Sequence, residues 1–281
     1  MTTAQTRIGF IGGGNMAYAI VGGLLQAGHS AACVHVSDPS DTQLQRFEEL
    51  NPGIVTGGDN AATLAVADVL VIAVKPQLIE DVLRPLGNAD RPDQQLVISI
   101  AAGVKLDSLL DLLAPTRSIV RVMPNQPALV GAGMAVLTAT PETTGEQRDL
   151  AQYVAEATGR TEWIDDEGLM DAVTAVSGSG PAYFYLLMEL MEAAARDMGL
   201  SPQLAAVLAR QTAFGAGRVA VESDLGLAKL RESVTSKDGT TAAALATFEQ
   251  EGIRDIVDRA LRAARDRSIE LGAQMSAGND D

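Results

Sequence analysis

Short apolar runs alternate with longer stretches of helical spacing over residues 1–164 of the chain. The runs are rich in Val and Ile and too short for helices, so they predict strands. They cover 7–11, 32–37, 68–74, 95–100 and 118–123, with a last edge strand at 160–164. The intervening stretches predict helices over 15–27, 40–50, 77–86, 106–113 and 144–158. Strands that alternate with helices indicate βαβ units and a parallel sheet.

The pattern changes near residue 165, where the strand-like runs stop. Stretches rich in Ala, Leu and Met then predict long helices over 182–198, 202–221 and 241–271. Ser201 before Pro202 suits an N-cap followed by a proline in the first turn. Helices with little sheet of their own often bury their apolar faces in another subunit, so we predict a homodimer formed mainly through this half.

A glycine-rich segment lies where the first strand meets the first helix. Gly12, Gly14 and Ala17 fit the G-x-G-x-x-A pattern of dinucleotide-binding proteins, with Asn15 and Met16 between them. Gly12 suits the tight turn, Gly14 lets the backbone approach a pyrophosphate, and Ala17 allows close helix–sheet packing. Because the positive end of the helix then faces the phosphates, the segment predicts nucleotide binding.

Asp38 follows the second predicted strand, about where dinucleotide-binding folds place an acidic residue for the ribose. A carboxylate there suits the free hydroxyls of NADH and repels the extra phosphate of NADPH, and Asp41 adds to the repulsion. Ser37 and Ser40 leave an alternative, since both could bond a phosphate if the carboxylates turned away. A purely structural alternative makes 38–40 a turn and a helix N-cap. Because of the negative charges of Asp38 and Asp41, we favour NADH as the cofactor.

Residues 177–183 read Ser-Gly-Ser-Gly-Pro-Ala-Tyr and lead into a long apolar stretch. Proline is tolerated in the first turn of a helix, so Pro181 is expected to open the helix that follows. Ser177, Ser179 and the glycines beside them would leave N–H and hydroxyl groups accessible at its positive end, where a small polar ligand could be held. The alternative is a flexible turn between two helices.

The bulk composition narrows the classes of function. The 281 residues are 47% hydrophobic and 20% charged, as in globular proteins, and the formal net charge is −15. Because nucleic-acid binding needs clustered Lys and Arg, this acidity argues against a nucleic-acid partner. An anionic ligand would have to be held by local backbone N–H groups and a few cations.

Cysteine and histidine are scarce. The single cysteine, Cys33, excludes an intrachain disulfide and a cysteine-based zinc cluster, and we expect it in the core. His29 and His35 lack the spacing of a metalloprotease, so neither a metal site nor histidine-centred catalysis is predicted. No basic, apolar leader is present and no apolar run reaches about 18 residues. We therefore expect a cytoplasmic protein with no membrane span.

Several segments share their order and spacing with one known family along nearly the whole chain. They are Phe10-Ile-Gly-Gly-Gly-Asn-Met-Ala17, Ala73-Val-Lys-Pro76, Ser99-Ile-Ala-Ala-Gly103, Arg121-Val-Met-Pro-Asn125, Asp171-Ala-Val-Thr-Ala-Val-Ser-Gly-Ser-Gly-Pro-Ala-Tyr183, Val234-Thr-Ser236 and Gly239-Thr-Thr241. With these segments the chain resembles the Δ1-pyrroline-5-carboxylate reductase family. The resemblance implies reduction of 1-pyrroline-5-carboxylate to proline by NAD(P)H, the last step of proline synthesis.

The resemblance also implies a fold and an assembly. An α/β Rossmann-type domain would span 1–164, and an all-α domain that binds substrate and forms the dimer would span 165–281. Larger assemblies of dimers occur in the family.

The resemblance also implies which residues bind the cofactor. Gly12 to Ala17 would bind the pyrophosphate. The other implied cofactor-binding positions are Asn60 near the adenosine, Ala73, Lys75 and Pro76 along the channel, Ala101, Ala102 and Gly103 at the nicotinamide end, and Met123, Pro124 and Asn125 beside it.

The substrate residues implied by the resemblance lie in the second half. The pyrroline ring, a cyclic imine, would lie against Ser177, Gly178, Ser179 and Gly180, and its carboxylate would be held by backbone groups of Ser236, Gly239 and Thr240. Thr241, the implied catalytic group, would place its hydroxyl near the ring nitrogen. A protonated imine needs no strong general acid, so catalysis would rest on orienting the reactants. The structural alternative is that Thr240 or Thr241 is simply an N-cap.

Two segments depart from the family's usual sequence. Ser-Pro-Gly-Gly-Thr-Thr is here Ser236-Lys-Asp-Gly-Thr-Thr241, so Asp238 brings a negative charge close to the expected carboxylate unless Lys237 compensates or Asp238 points outward. Met-Pro-Asn-Thr-Pro has become Met123-Pro-Asn-Gln-Pro127. Weaker substrate binding is therefore expected.

Two other functions stay open at this point. One is another NAD(P)-dependent imine or 2-hydroxyacid-type reductase of the same two-domain plan. Such hydroxyacid enzymes use a lysine on an interdomain helix, but 182–198 contains none, and Lys229 is expected in a loop. The other is a non-catalytic nucleotide-binding regulator, which the altered Lys237-Asp238 pair would favour.

Overall fold

The computed structural model describes residues 3–277. The chain forms two compact units: unit 1 takes the residues up to Gly178 and those from Ala264 on, and unit 2 takes Ser179–Ala263. The predicted domain boundary after residue 164 follows the end of the last strand at Trp163. The division into a domain of residues 1–164 and a domain of residues 165–281 stays a prediction.

Unit 1 is built on an eight-stranded sheet of order β3-β2-β1-β4-β5-β6-β7-β8. Neighbouring strands run parallel except for β6 and β7, which are antiparallel. The strands are β1 (Ile8–Ile11), β2 (Val34–Ser37), β3 (Val55–Gly57), β4 (Val69–Ile72), β5 (Leu96–Ser99), β6 (Ile119–Met123), β7 (Gly133–Ala139) and β8 (Gly159–Trp163). In such sheets a dinucleotide lies across the carboxyl ends of the strands where the strand order reverses, here between β1 and β4.

Helices cover both faces of this sheet. They are α1 (Asn15–Gln26), α2 (Asp41–Leu50), α3 (Asn60–Val66), α4 (Ile79–Leu83), α5 (Leu106–Leu112), α6 (Gly145–Glu156) and α7 (Met170–Val173). Short 3₁₀ turns at Pro76–Leu78 and Arg84–Leu86 flank α4, and a π-helix at Thr174–Gly178 follows α7.

Successive side chains of a strand face opposite sides of the sheet and therefore supply two cores. Phe10 of β1 packs in the core beneath α1, α2 and α6, whereas its neighbour Ile11 packs in the core beneath α3, α4 and α5. Both side chains are almost completely buried. Burial of each such side chain stabilises the fold by about 1.5–3 kcal/mol, so both faces of the sheet are anchored.

The contact between α1 and α6 depends on a close backbone approach. A Cβ at Gly23 would lie 1.8 Å from the Ala157 carbonyl oxygen, so a side chain at this position has no room. After α1, the buried His29 places its Nδ1 3.2 Å from the Tyr153 hydroxyl of α6. Its Nε2 has no hydrogen-bond partner among the described residues. Burial lowers the pKa of His29 because the charged imidazolium is poorly solvated there.

Unit 2 is helical. Its helices are α8 (Gly180–Asp197), α9 (Pro202–Glu222), α10 (Leu227–Ser233), α11 (Thr240–Gln250) and the first part of α12 (Ile253–Ala277). The predicted cap of α9 is confirmed, since Ser201 Oγ accepts the Leu204 N–H and Pro202 follows in the first turn. Many large apolar side chains of α8 and α9 are exposed, among them Phe184, Leu190, Val207 and Phe214. Such a surface is typical of a protein-interaction site.

The last part of α12 belongs to unit 1. Ser268 is buried, and its hydroxyl donates a hydrogen bond of 2.6 Å to Asp171 Oδ1. Gly272 lies close to the Gly103 carbonyl oxygen, which would be 3.2 Å from a Cβ at this position. The end of the helix therefore supports the region that follows β5.

The predicted fold class is confirmed: an α/β sheet domain with a mostly parallel sheet precedes a helical region. Three local predictions were wrong. The stretch 241–271 is two helices because Gly252, with φ +73°, breaks it. Lys229 lies in α10 and not in a loop. Cys33 is partly exposed because it ends a 3₁₀ turn before β2 instead of lying within the strand.

Five helices and strands of the described residues were not predicted: β3, α3, β7, α7 and α10. The residues of β3 are not buried, so this strand has no apolar pattern. α3 is short, with seven residues. β7 pairs with β6 in the antiparallel direction, whereas the alternation of strands and helices predicts a sheet with parallel strands only.

Candidate functional site

The turn between β1 and α1 requires glycine at its first position. Gly12 has φ +99°, a region that favours glycine, and a Cβ there would lie 2.8 Å from the Ala73 carbonyl oxygen. The Gly12 N–H donates to the Ser37 carbonyl oxygen at 2.8 Å, which joins the turn to the end of β2. The turn therefore brings the carboxyl ends of β1, β2 and β4 together.

The N-terminus of α1 has free space beside it. Gly14 is the N-cap residue and forms no side-chain capping bond, and a Cβ at Gly14 would meet no atom within 4 Å. Asn15 is exposed, Met16 is half-buried and Ala17 is completely buried against the sheet. The first N–H groups of a helix lack intrahelical partners and carry partial positive charge. These residues fit the pyrophosphate of a dinucleotide.

Asp38 is bonded to the glycine-rich loop. Its Oδ2 accepts the Gly13 N–H at 2.8 Å, and its Oδ1 accepts the Ser40 N–H at 2.9 Å. Ser40 also occupies the N-cap position of α2, without a side-chain capping bond. Residues 38–40 therefore form a turn and the N-cap position of α2, and backbone N–H groups also hold the Asp38 carboxylate in place. The negative charge of Asp38 lies where the adenosine ribose of a dinucleotide would bind.

Asn60 lies beside the end of β2. It is the first residue of α3, and its Oδ1 accepts a hydrogen bond from the buried Ser37 hydroxyl at the end of β2. Asp59 caps α3 by accepting the N–H groups of Ala61 and Ala62. The predicted adenosine residue is therefore at the same edge of the sheet as the glycine-rich loop.

The residues after β4 and β5 border this edge. The Ala73 N–H donates to the Ile11 carbonyl oxygen at 2.8 Å, the Lys75 side chain is exposed, and Pro76 begins a 3₁₀ turn. After β5, Ala101 is buried, Ala102 is exposed and Gly103 has φ +79°. Both segments lie at carboxyl ends of strands, where sheets of this kind bind a dinucleotide.

Asn125 connects three segments of unit 1. Its Nδ2 donates to the Ser177 carbonyl oxygen at 3.2 Å and lies 3.4 Å from the Ser177 hydroxyl. Its Oδ1 accepts the Met134 N–H of β7 at 2.9 Å. Asn125 therefore holds the loop after β6 against the Ser177 segment.

The serine-glycine segment is helical, so the alternative of a flexible turn is wrong. Ser177 and Gly178 end the π-helix, and Ser179, with φ −84° and ψ −20°, leads directly into α8. The i→i+5 bonds of the π-helix engage N–H groups that a free helix start would leave open. Pro181 does lie in the first turn of α8, as predicted. Gly178 belongs to unit 1, whereas Ser179 and Gly180 belong to unit 2.

The 236–241 loop of unit 2 forms a second open helix start. Gly239 is the N-cap residue of α11 and has no side-chain capping bond, and its N–H donates to the Ser236 carbonyl oxygen at 3.1 Å. Thr240 and Thr241 lie in the first turn, so the alternative that either is the N-cap is wrong. The first N–H groups of α11 suit an anion.

Asp238 has a left-handed backbone with φ +59°. Its side chain and that of Lys237 are exposed, and among the described residues no ion pair joins the two. Glycine adopts this conformation freely, whereas Asp adopts it less readily, although more readily than most other residues. The departure from the family's sequence thus adds both charge and backbone strain to the loop.

Sequence reasoning missed two charged residues that contact segments near the carboxyl ends of the strands. Arg46 of α2 donates from Nη2 to Asn15 Oδ1 at 3.2 Å and stacks 4.6 Å above the Tyr18 ring centroid. Glu167 accepts hydrogen bonds from Arg121 and from the Leu106 N–H. The helical spacing of α2 could have indicated Arg46, but no local pattern indicates Glu167.

Two further findings bear on the kind of site. Across residues 3–277, no three or more His, Cys, Asp or Glu side chains are grouped as a metal site would need. In the same range no helix combines the length and apolar character needed to cross a membrane. The candidate cofactor residues, up to Asn125, all lie in unit 1, whereas the 236–241 loop lies in unit 2.

Two family models match the chain. Residues 167–271 match the model described as pyrroline-5-carboxylate reductase dimerisation. Residues 7–103 match the model described as NADP oxidoreductase, coenzyme F420-dependent. The second match extends from β1 to the segment after β5, so it includes the glycine-rich loop, Asp38 and the segments after β4 and β5 up to Gly103.

Individual proteins match over nearly the full length. The pyrroline-5-carboxylate reductase of Haemophilus influenzae is 44% identical over 265 residues, 94% of this chain and 97% of that protein. A pyrroline-5-carboxylate reductase structure from Coxiella burnetii has a TM-score of 0.90 and 38% identity, covering 95% of this chain and 98% of that one. The pyrroline carboxylate reductase structure of Plasmodium falciparum with NADP bound has a TM-score of 0.81 and 29% identity, with coverages of 95% and 98%.

Proposed function

The chain belongs to the pyrroline-5-carboxylate reductase family, and on that premise we propose how its residues bind the two reactants. It is an NAD(P)-dependent oxidoreductase that acts on a CH–NH bond and reduces 1-pyrroline-5-carboxylate to proline, the final step of proline synthesis. We assign cofactor binding to the edge of the sheet around Gly12 and Asp38. We assign the substrate carboxylate to the loop that ends at Thr241.

The observation that carries this proposal is a pair of helices that begin at uncapped glycines. α1 begins after Gly14 and α11 begins after Gly239, and neither glycine supplies a capping side chain. Each helix start offers N–H groups and partial positive charge to an anion in a protein of net charge −15. One anion is the cofactor pyrophosphate and the other is the substrate carboxylate.

Thr241 is proposed as the residue that orients the ring nitrogen. Its side chain is half-buried in the first turn of α11, next to the N–H groups assigned to the carboxylate. The bound dihydronicotinamide supplies a hydride to the imine carbon, and the electron pair of the C=N bond passes to nitrogen. Because the protonated imine thereby becomes a neutral amine, Thr241 needs to position or polarise the nitrogen and not to titrate.

The serine-glycine segment is proposed as the wall against which the ring packs. Asn125 fixes Ser177 through two contacts, so this part of the helix has a defined position in unit 1. π-helical segments occur frequently at functional sites, which supports this assignment.

NADH is proposed as the preferred cofactor. Asp38 is half-buried, and both carboxylate oxygens are held by backbone N–H groups, so its charge stays beside the glycine-rich loop. The extra phosphate of NADPH would meet this charge near the ribose. The NADP in the Plasmodium falciparum structure is a property of that protein.

We also propose a homodimer in the cytoplasm, with larger assemblies of dimers as a further prediction. The matched dimerisation model and the exposed apolar faces of α8 and α9 support the dimer. A cytoplasmic location suits a reaction that draws on reduced nicotinamide cofactors.

The test is oxidation of NADH and NADPH with pyrroline-5-carboxylate, in wild type and in Thr241→Ala, Thr241→Ser and Thr247→Ala. Thr247 lies on the same helix and is exposed, so its variant controls for loss of a threonine from α11. We expect Thr241→Ala to lower kcat about tenfold or more, with partial recovery in Thr241→Ser. No turnover by wild type would refute the reductase assignment, and an unchanged kcat/KM in Thr241→Ala would remove Thr241 from the mechanism.

A further inference from the structure

One carboxylate oxygen of Glu167 ties together two segments of unit 1. Glu167 Oε1 accepts a hydrogen bond from Arg121 Nη1 at 2.8 Å and another from the Leu106 N–H at 3.0 Å. The Arg121 side chain is 5% exposed and the Glu167 side chain is 26% exposed. Among the described residues, Glu167 is the carboxylate that forms an ion pair with Arg121, so this buried cation depends on it.

Both partners adjoin loops at the carboxyl edge of the sheet. Leu106 is the first residue of α5, shortly after Gly103, and its neighbour Lys105 forms no capping bond through its side chain. Arg121 lies in β6, just before Met123 and the loop that contains Asn125. Glu167 thus joins the start of α5, which follows the loop after β5, to the middle of β6, two residues before that strand ends.

These loops border the nicotinamide half of the cofactor assigned above. The glycine-rich loop after β1 fits the pyrophosphate, and Asp38 after β2 lies at the adenosine ribose. The other half of the dinucleotide must extend in the opposite direction, over the carboxyl ends of β4, β5 and β6. The loops whose separation Glu167 fixes therefore form the border of that half.

We propose that Glu167 is a positioning residue for hydride transfer: it sets the separation of the loops after β5 and β6 and so the position of the nicotinamide ring. The inference rests on the proposed function for the placement of the cofactor. Glu167 does not touch the reacting atoms. A displacement of about 1 Å at the reacting centre can cost about a hundredfold in rate, so a support of this kind has a measurable effect.

The experiment compares the affinities of NADH and of ADP-ribose, which lacks the nicotinamide, in the absence of substrate. NADPH and 2′-phospho-ADP-ribose replace this pair if wild type prefers NADPH. Isothermal calorimetry gives both dissociation constants, and steady-state assays give kcat and KM. The variants are Glu167→Ala and Glu167→Gln, with Glu162→Ala as the control, because Glu162 pairs with Arg160 on the exposed face of β8.

We expect Glu167→Ala to lower kcat about tenfold or more and to reduce the affinity ratio of NADH over ADP-ribose, while ADP-ribose itself binds as in wild type within about twofold. Glu167→Gln retains an oxygen that can accept both hydrogen bonds and should recover most of kcat. A lower Tm with unchanged kcat and an unchanged affinity ratio would leave Glu167 a purely structural residue and overturn the inference.

Glu167→Asp keeps the experiment decisive if Glu167→Ala does not fold. It retains the charge beside Arg121 but is one methylene shorter, so it cannot hold both partners at their present positions. Wild-type kcat and affinity ratio in this variant would also overturn the inference. Failure of the proposed function is distinguishable, because wild type itself would then neither turn over pyrroline-5-carboxylate nor bind NAD(P)H.

Discussion

Asp38 Oδ2 accepts a hydrogen bond of 2.8 Å from the Gly13 N–H, which fixes a negative charge beside the glycine-rich loop. We expect Asp38→Asn to raise the ratio of kcat/KM for NADPH over NADH about five- to tenfold, because it removes a like charge from the position of the extra phosphate. Steady-state kinetics with both cofactors measure this ratio.

Asp41→Asn is the matched control for Asp38→Asn. It removes the same charge from the exposed first turn of α2 and should change the ratio much less. Equal effects of the two variants would show that only the net charge of the region matters. No change in either would contradict the charge argument for NADH.

Asp238 combines a left-handed backbone with a charge near the proposed carboxylate site. We expect Asp238→Gly to lower the KM for pyrroline-5-carboxylate several-fold, since glycine removes the charge and adopts the left-handed backbone freely. Asp238→Asn removes the charge and retains a side chain, so it separates the two effects. A KM that stays at the wild-type value in both variants would mean that Asp238 points away from the substrate.

Gly23 and Gly22 are adjacent residues of α1 with different surroundings. A Cβ at Gly23 would lie 1.8 Å from the Ala157 carbonyl oxygen, whereas a Cβ at Gly22 would meet no atom within 4 Å. We expect Gly23→Ala to destabilise the protein by about 1–3 kcal/mol and Gly22→Ala to stabilise it by about 0.5–1 kcal/mol. Chemical denaturation measures both, and equal stabilities would disprove the tight packing of α1 on α6.

Burial lowers the pKa of His29 below its ordinary value of 6.5, so the folded protein binds a proton less readily than the unfolded chain. The free energy of unfolding is therefore greatest above about pH 6.5 and falls as the pH decreases through this value. Thermal denaturation between about pH 8 and pH 5.5 should show a decreasing Tm.

His29→Gln should flatten the dependence of Tm on pH, at the cost of the contact with Tyr153. His35, whose pKa is lowered by burial and by the charge of Arg7, contributes in the same direction, so His35→Gln is the comparison variant. If His29→Gln retained the full wild-type dependence, the acid sensitivity would have another origin.

Local constraints made part of the site predictable from the sequence. Gly12 is one example, because its φ of +99° and its 2.8 Å approach to Ala73 admit no other residue type. The position of Asp38 followed from its spacing after the glycines, but its bond to Gly13 depends on the parallel register of β1 and β2. The uncapped start of α11 was indicated by glycine before an Ala-rich stretch.

Other parts of the site depend on contacts between distant residues. Glu167 meets Leu106 and Arg121 across 61 and 46 positions of sequence, so no window of neighbouring residues contains the signal. The π-helix was likewise hidden, since serine and glycine are typical of turns and the helical backbone there is set by the elements on either side. β3 was missed because Val55 is exposed and gives no alternating pattern.

Because the end of α12 belongs to unit 1, unit 1 can complete its folding only late in synthesis. During synthesis, residues 179–263 leave the ribosome before Ser268, the buried partner of Asp171, exists. Unit 1, whose strands are made first, therefore stays unfinished until after the whole of unit 2 has emerged. A chain interrupted anywhere in unit 2 would contain every proposed cofactor-binding residue and still lack the contacts of α12 with unit 1.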